Sequence, residues 1–108
     1  MKITAVTVEV TSEPKAHPVR DAIQLLDRDG LTRVRIDTDE GVSGVSTTYF
    51  GRVESSPAVL AKIITKQLAP AIIGADPTVI RGVRQTLQTL TDYQGTAGLS
   101  SYGISAID

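Results

Sequence analysis

Residues 31–49, LTRVRIDTDEGVSGVSTTY, limit most tightly what this chain can fold into. Val34, Ile36 and Thr38 fall on one side of a period-2 pattern, and Arg33, Arg35 and Asp37 on the other. A period of two sends alternate side chains to opposite faces of a strand, so this segment belongs to a sheet with one face buried and one wet. Thr38-Asp39-Glu40-Gly41 supplies a polar turn, with glycine where the backbone must reach positive φ. Val42-Ser43-Gly44-Val45-Ser46 returns as a second strand, and the two form a hairpin. Upstream, residues 3–10 alternate in the same way, with Val6, Val8 and Val10 opposed to Thr7 and Glu9, which adds a third strand.

Between that strand and the hairpin lies TSEPKAHPVRDAIQLLDRDG, which carries Pro14, Pro18, Asp27, Asp29 and Gly30 and has little periodicity. It is expected to be a long loop with room for one short helical turn over residues 20–26. Connections of this length within a compact domain are often functional. Beyond Tyr49-Phe50-Gly51-Arg52 the period changes. Ser56-Pro57 has the form of a helix start, a hydroxyl N-cap followed by proline at the first helical position. Leu60, Ile63, Ile64 and Leu68 repeat at helical spacing, and Pro70 and Gly74 close the stripe. Asp76-Pro77 repeats the capping device before a second stripe of Ile80, Val83, Leu87 and Leu90.

Residues 91–101 are polar and carry Gly95 and Gly98, as a loop does; SYGISAID, residues 101–108, then opens a third helix that ends within two turns and without a C-cap glycine. The prediction is an α+β fold, a three-stranded antiparallel meander sheet followed by a helical bundle. The apolar face that is just beginning at residue 108 predicts a cut at about the start of the third helix.

Composition removes several function classes. The formal net charge of −1 argues against nucleic acid, whose binders gather a basic excess on one face. The arginine pairs Arg33/Arg35 and Arg81/Arg84 read as solvated polar faces of a strand and a helix. With no cysteine, disulfides, thiolate zinc sites and a cysteine nucleophile are all excluded. The start MKITAVTVEV lacks the continuous apolar core of a signal peptide, and no apolar run approaches the ~20 residues of a membrane span. The expected location is the cytoplasm.

The candidate sites are few. Read from Asp37, an EF-hand loop would need glycine at its sixth position and glutamate at its twelfth; Val42 and Thr48 stand there. Gly41, Gly44 and Gly51 make no phosphate cradle, because no Gly-Lys-Ser/Thr follows. His17, the one histidine, sits beside Pro18 in the long connection and reads as a bystander or a ligand contact. Tyr49 and Phe50 either pack on the sheet edge or line a cavity built with another domain. No nucleophile–base pair, paired carboxylates or metal-ligand set is complete.

The order of the elements, taken with TDEGVSG (residues 38–44), IGADP (73–77) and ISAID (104–108), resembles the N-terminal capping domain of the enolase superfamily, in its mandelate racemase and muconate lactonizing enzyme branch. The resemblance covers essentially the whole chain and identifies residues 1–108 as that capping domain. It implies an enolase N-terminal domain-like fold that closes over the mouth of a (β/α) barrel further along the polypeptide. That barrel carries the acid and base residues, which remove the proton α to a substrate carboxylate, and a magnesium ion held by three carboxylates. Neither catalytic residues nor metal ligands are then expected before Asp108, and this piece alone is expected to be inactive.

The resemblance further implies that two stretches, residues 14–30 and 47–55, shape the substrate pocket. His17, Val19, Arg20, Tyr49 and Phe50 become the expected substrate-facing positions, with roles in excluding water and selecting shape. Arg20 and Arg52 could meet a polyol acid. Many relatives, notably the muconate and dipeptide enzymes, carry glutamate where Ser46 stands here, which leans the parent toward racemases and sugar-acid dehydratases. The implied partners are a small carboxylic or hydroxy acid, the chain's own barrel and further copies of the protein in a homo-oligomer, with no nucleic acid and no membrane. Two other readings stay open: a free-standing α+β small-molecule-binding or regulatory module, and a purely structural interaction domain.

Overall fold

A computed structural model describes residues 1–23, 25–48 and 55–108. Three antiparallel strands, β1 (Ile3–Arg20), β2 (Leu25–Thr38) and β3 (Ser43–Thr48), lie in the order β1-β2-β3. The expected meander is therefore present, and helices follow it. At the β2–β3 turn, the Gly41 amide donates to the Thr38 carbonyl at 3.3 Å and the Thr38 amide to the Val42 carbonyl at 3.1 Å. Gly41 takes a φ of 77°, the left-handed conformation this three-residue connection requires at its end.

Cross-strand pairing settles the faces. Val6 lies opposite Ile36, Val8 opposite Val34, and Val10 opposite Thr32; on the far side Ser46 pairs with Val34 and Thr48 with Thr32. That set faces the helices, and Val34 and Thr32 are fully buried in it. The other face carries Glu9, Arg33, Arg35 and Asp37 and is open.

Residues 11–30 are not a loop. β1 and β2 outgrow β3 and continue as a two-stranded ribbon to Arg20 and Leu25, so that of the expected helical turn over residues 20–26, Arg20, Leu25 and Leu26 are strand and residues 22–23 a bend. Two features hide this in the sequence. Both faces of the ribbon are wet, so its pairing leaves no apolar alternation. Pro14 pairs with Arg28 and Val19 with Leu26, so Lys15, Ala16, His17 and Pro18 bulge opposite the single residue Asp27. A proline in such a bulge withholds no ladder hydrogen bond. Below the bulge the ribbon is pinned by Lys15 Nζ to Asp29 Oδ1 at 2.6 Å and by the Arg28 guanidinium to Ser12, at 3.0 Å to the hydroxyl and 3.1 Å to the carbonyl. The projection stretches the molecule to 46 Å, with a radius of gyration of 15.1 Å against about 13 Å for a compact chain of this length.

The first helical stretch runs unbroken through α1 (Ser55–Ile63), a π-helical segment (Ile64–Leu68) and α2 (Ala69–Ile72). It starts one residue before the expected cap and passes through Pro70 where a stop was expected. The Ala69 amide reaches back five residues to the Ile64 carbonyl. The widened π turn just before Pro70 accommodates a residue with no amide proton, whose ring would collide with the carbonyl of a regular preceding turn. It also takes in one residue more per hydrogen-bonded ring. Leu60, Ile64, Leu68 and Ile72, four apart each time, consequently stay on one face, and all four are fully buried.

The Asp76-Pro77 device caps a turn and not a helix. Asp76 Oδ1 accepts the Thr78 amide at 2.9 Å and its hydroxyl at 2.7 Å, and α3 (Ile80–Leu90) begins after Val79. A short 3-10 turn (Asp92–Gln94) and two glycines at positive φ, Gly95 and Gly98, lead into α4 (Leu99–Ile107). This helix starts two residues earlier than expected and is nine residues long, about two and a half turns. Ile3, Val34, Leu60, Ile64, Leu68, Ile72, Leu87, Ile104 and Ala106 form one core between sheet and helices. No described helix is long and apolar enough to cross a membrane.

Candidate functional site

The ribbon is the element from which a site can be built, because it carries three of the expected substrate-facing residues on a rigid root. Its root is a contact between backbone and ring. Gly30 on β2 lies so close to α1 that a Cβ there would stand 2.7 Å from Pro57 Cγ. One pair further along β2, the buried Thr32 hydroxyl donates to the Pro57 carbonyl at 2.9 Å. Glycine is the residue that lets the strand approach the helix, and the hydroxyl fixes the register of that approach.

At the tip, His17, Val19 and Arg20 are all exposed, and Val19 is joined there by Ile23, which is 89% exposed. The Asp21 carboxylate accepts the Ile23 amide at 2.9 Å and shapes the turn. The ribbon does not bring the three residues to one face. Alternation along β2 carries Leu26, Arg28 and Gly30 to the helix side with Thr32, and Leu25, Asp27 and Asp29 to the outer side. Val19 pairs with Leu26 and shares the helix side; Arg20 pairs with Leu25 and shares the outer side. His17 sits in the bulge between them.

Tyr49, Phe50 and Arg52 lie outside the described residues. Their flanks do not: Thr48 pairs with Thr32, and Pro57 covers Gly30, so both ends of that stretch are anchored at the ribbon's root, on the helix side. The corner between the ribbon's helix-side face and this root is the candidate substrate-facing surface. Leu26 belongs to it and was not singled out from sequence; the signal was its pairing, which only the register supplies.

Ser46, noted above for its residue type, has a structural role. Its hydroxyl donates to the Ala106 carbonyl in the last turn of α4, tying β3 to that helix. A separate groove of about 600 Å³ between α3 and α4 is lined by Arg84, Gln88, Asp92, Thr96, Ser101 and Ser105, with no residue of the ribbon. Among the described residues its one cation, Arg84, is paired with Asp108 at 3.0 Å.

Two carboxylates are perturbed, both at the surface. The Ser43 hydroxyl and then the Arg35 guanidinium hold the Asp37 carboxyl below its ordinary value of 3.8, and the Thr78 hydroxyl and amide do the same for Asp76. A carboxyl whose folded-state value is depressed stabilises the fold above its unfolded value and loses that contribution as pH falls through the folded one. Acid titration of the denaturant midpoint should therefore fall below pH 3.8, and less steeply in Asp37→Asn and Asp76→Asn variants. Among the described residues no three His, Asp or Glu side chains converge on a point that could hold a metal ion.

A three-stranded antiparallel sheet backed by helices, with a projecting ribbon, defines an α+β capping domain. The sequence profile of the mandelate racemase / muconate lactonizing enzyme N-terminal domain matches residues 2–108, and the chain belongs to that family. A curated relative, a 3,6-anhydro-alpha-L-galactonate cycloisomerase of Streptomyces coelicolor, is 32% identical over 78 residues, which are 72% of this chain and 21% of the relative. The crystal structure of a racemase from Streptomyces coelicolor with bound magnesium superposes with a TM-score of 0.89 at 26% identity, covering 97% of this chain and 29% of that one. A member of the enolase superfamily from Polaromonas shares the fold with a TM-score of 0.86 at 24% identity, over 99% of this chain and 28% of that one. The chain thus spans between a fifth and a third of the length of these relatives.

Proposed function

We propose that residues 1–108 are the substrate-selecting cap of a magnesium-dependent enzyme that removes the proton α to the carboxylate of a small hydroxy acid. The family membership of the whole chain carries this reading. The similarity to a cycloisomerase of a sugar acid and to a racemase with bound magnesium supports the substrate class and the metal. Within that class we favour a sugar-acid dehydratase or a mandelate racemase-like reaction, with cycloisomerisation next.

The described residues do not fit the metal. Asp37 is engaged by Ser43 and Arg35, and the Asp39 carboxylate accepts the Lys2 amide at 2.8 Å. In this reading the magnesium, the acid and the base belong to a barrel elsewhere in the polypeptide, as the family membership supports. The part played by this chain is to bind, orient and exclude water. Val19 and Leu26 give the tip of the ribbon an apolar helix-side face, with His17 in the bulge beside it, and Tyr49 and Phe50, outside the described residues, are the other positions we propose to meet substrate. A closed apolar wall strengthens every electrostatic interaction at the reacting carboxylate and keeps bulk water from it. Arg20, on the outer side of the ribbon, contributes through the rim of the closed form.

The full-length protein, incubated in deuterated water with magnesium and 3,6-anhydro-L-galactonate, mandelate or a panel of sugar acids, should incorporate solvent deuterium with one or more of them: at the α carbon where the reaction is a racemisation, and at C3 of a 2-keto-3-deoxy product where a β-oxygen is expelled after the α proton is removed. Chelation should abolish the incorporation. Absence of metal-dependent exchange across the panel would count against the enzyme reading and favour the binding module.

A further inference from the structure

We propose that the open edge of β3 is an interaction surface for a second copy of this chain, pairing antiparallel about a two-fold axis at Val45 and joining two three-stranded sheets into one. The two edges of the sheet are treated very differently. The β1 edge is closed at its start, where the Ile3 amide donates to the Ala75 carbonyl at 2.9 Å and the Gly74 amide to the Ile3 carbonyl at 2.8 Å. Further along it carries Glu9, Glu13, Pro14, Lys15 and Pro18 and the bulge, the devices by which proteins keep an edge from pairing.

β3 has none of these. Its six residues, SGVSTT, are without charge or proline, and Val45 is 49% exposed on it. The hydrogen bond from the Thr38 amide to the Val42 carbonyl sets the phase of the ladder. Alternation from that pair turns the amides and carbonyls of Gly44, Ser46 and Thr48 toward β2, and those of Ser43, Val45 and Thr47 outward. Among the described residues, nothing accepts or donates to those outward groups. The edge is also self-complementary. A two-fold axis at Val45 sets Val45 against its own copy and Ser43 against Thr47, so an apolar pair is flanked by hydroxyl pairs and no like charges meet.

Two substitutions in the full-length protein test this. Val45→Cys places a thiol at the axis. These 108 residues contain no cysteine, and a hydrogen-bonded cross-strand pair lies ~5.5 Å apart between Cα atoms, within disulfide reach. Mild oxidation should give a dimer whose cross-linked peptide joins the two copies of position 45, while Val42→Cys, in the turn, should give none. Val45→Pro removes an outward amide that β2 does not use, and should halve the mass measured by light scattering while leaving the circular dichroism unchanged. A monomeric wild-type protein at tens of micromolar, failure of Val45→Cys to cross-link, or a thiol at position 45 that is shielded from maleimide in a monomer would each overturn the proposal. The last result would assign the edge to another segment of the same polypeptide.

Discussion

Replacing Ile64 by alanine is expected to remove about 2–5 kcal/mol of stability, a large part of the roughly 5–15 kcal/mol that holds a domain folded. Ile64 is fully buried and stands at the first residue of the π turn, between Leu60 and Leu68 on the same face and against α4. A Cβ on Gly103 of α4 would lie 3.3 Å from Ile64 Cγ1 and 2.7 Å from Leu68 Cδ1, so the two helices touch with almost no intervening space. Such a contact collapses poorly after truncation, because the backbones are already as close as they can come, and the cavity cost is added to the lost transfer energy. The denaturant midpoint of the domain's unfolding should shift accordingly with little change in slope. Ile63→Ala, one residue earlier and only half-buried, should cost clearly less.

Gly30→Val is the second large effect, about 1–3 kcal/mol, and its mechanism is the opposite one. The new side chain would meet the Pro57 ring, which the helix backbone holds rigidly in the first turn of α1. Pro57→Ala removes the ring atoms that clash, so the double variant should recover much of the loss, a non-additivity that a double-mutant cycle measures directly. A simple additive result would mean that Gly30 is required for some reason other than this contact. Because Thr32 is bonded to the same proline, displacing the joint should also shift the root of the ribbon and weaken substrate selection.

Legibility followed burial. The hairpin, the first strand and the first apolar stripe were readable because each buries one face, and a buried face leaves a period in the sequence; the second stripe marked a helix correctly but buries only Leu87 fully, with Val83 half-buried and Ile80 and Leu90 exposed. The ribbon was unreadable for the converse reason: from residue 14 outward both its faces meet water, its bulge breaks the count, and Pro14 and Pro18 argue locally against strand. Gly30 was legible in principle, since an isolated glycine within a strand marks a close approach, but reading it required knowing that a strand was there. Pro70 misled because its usual effect is to end a helix, and a π turn absorbed it. For the site, sequence supplied which residues to watch, while the register showed that Val19 and Arg20 cannot face the same way and that Leu26 stands with Val19.

The central proposal is that this domain selects substrate and performs no chemistry, and the steady-state constants of Val19→Asp in the full-length protein test it most directly. A charge on the helix-side face of the ribbon should raise KM about tenfold, a loss of roughly 1.4 kcal/mol of binding, with kcat within about twofold of the parent. Loss of kcat by about a hundredfold at unchanged KM would contradict the account, because it would place an interaction made only in the transition state within these 108 residues.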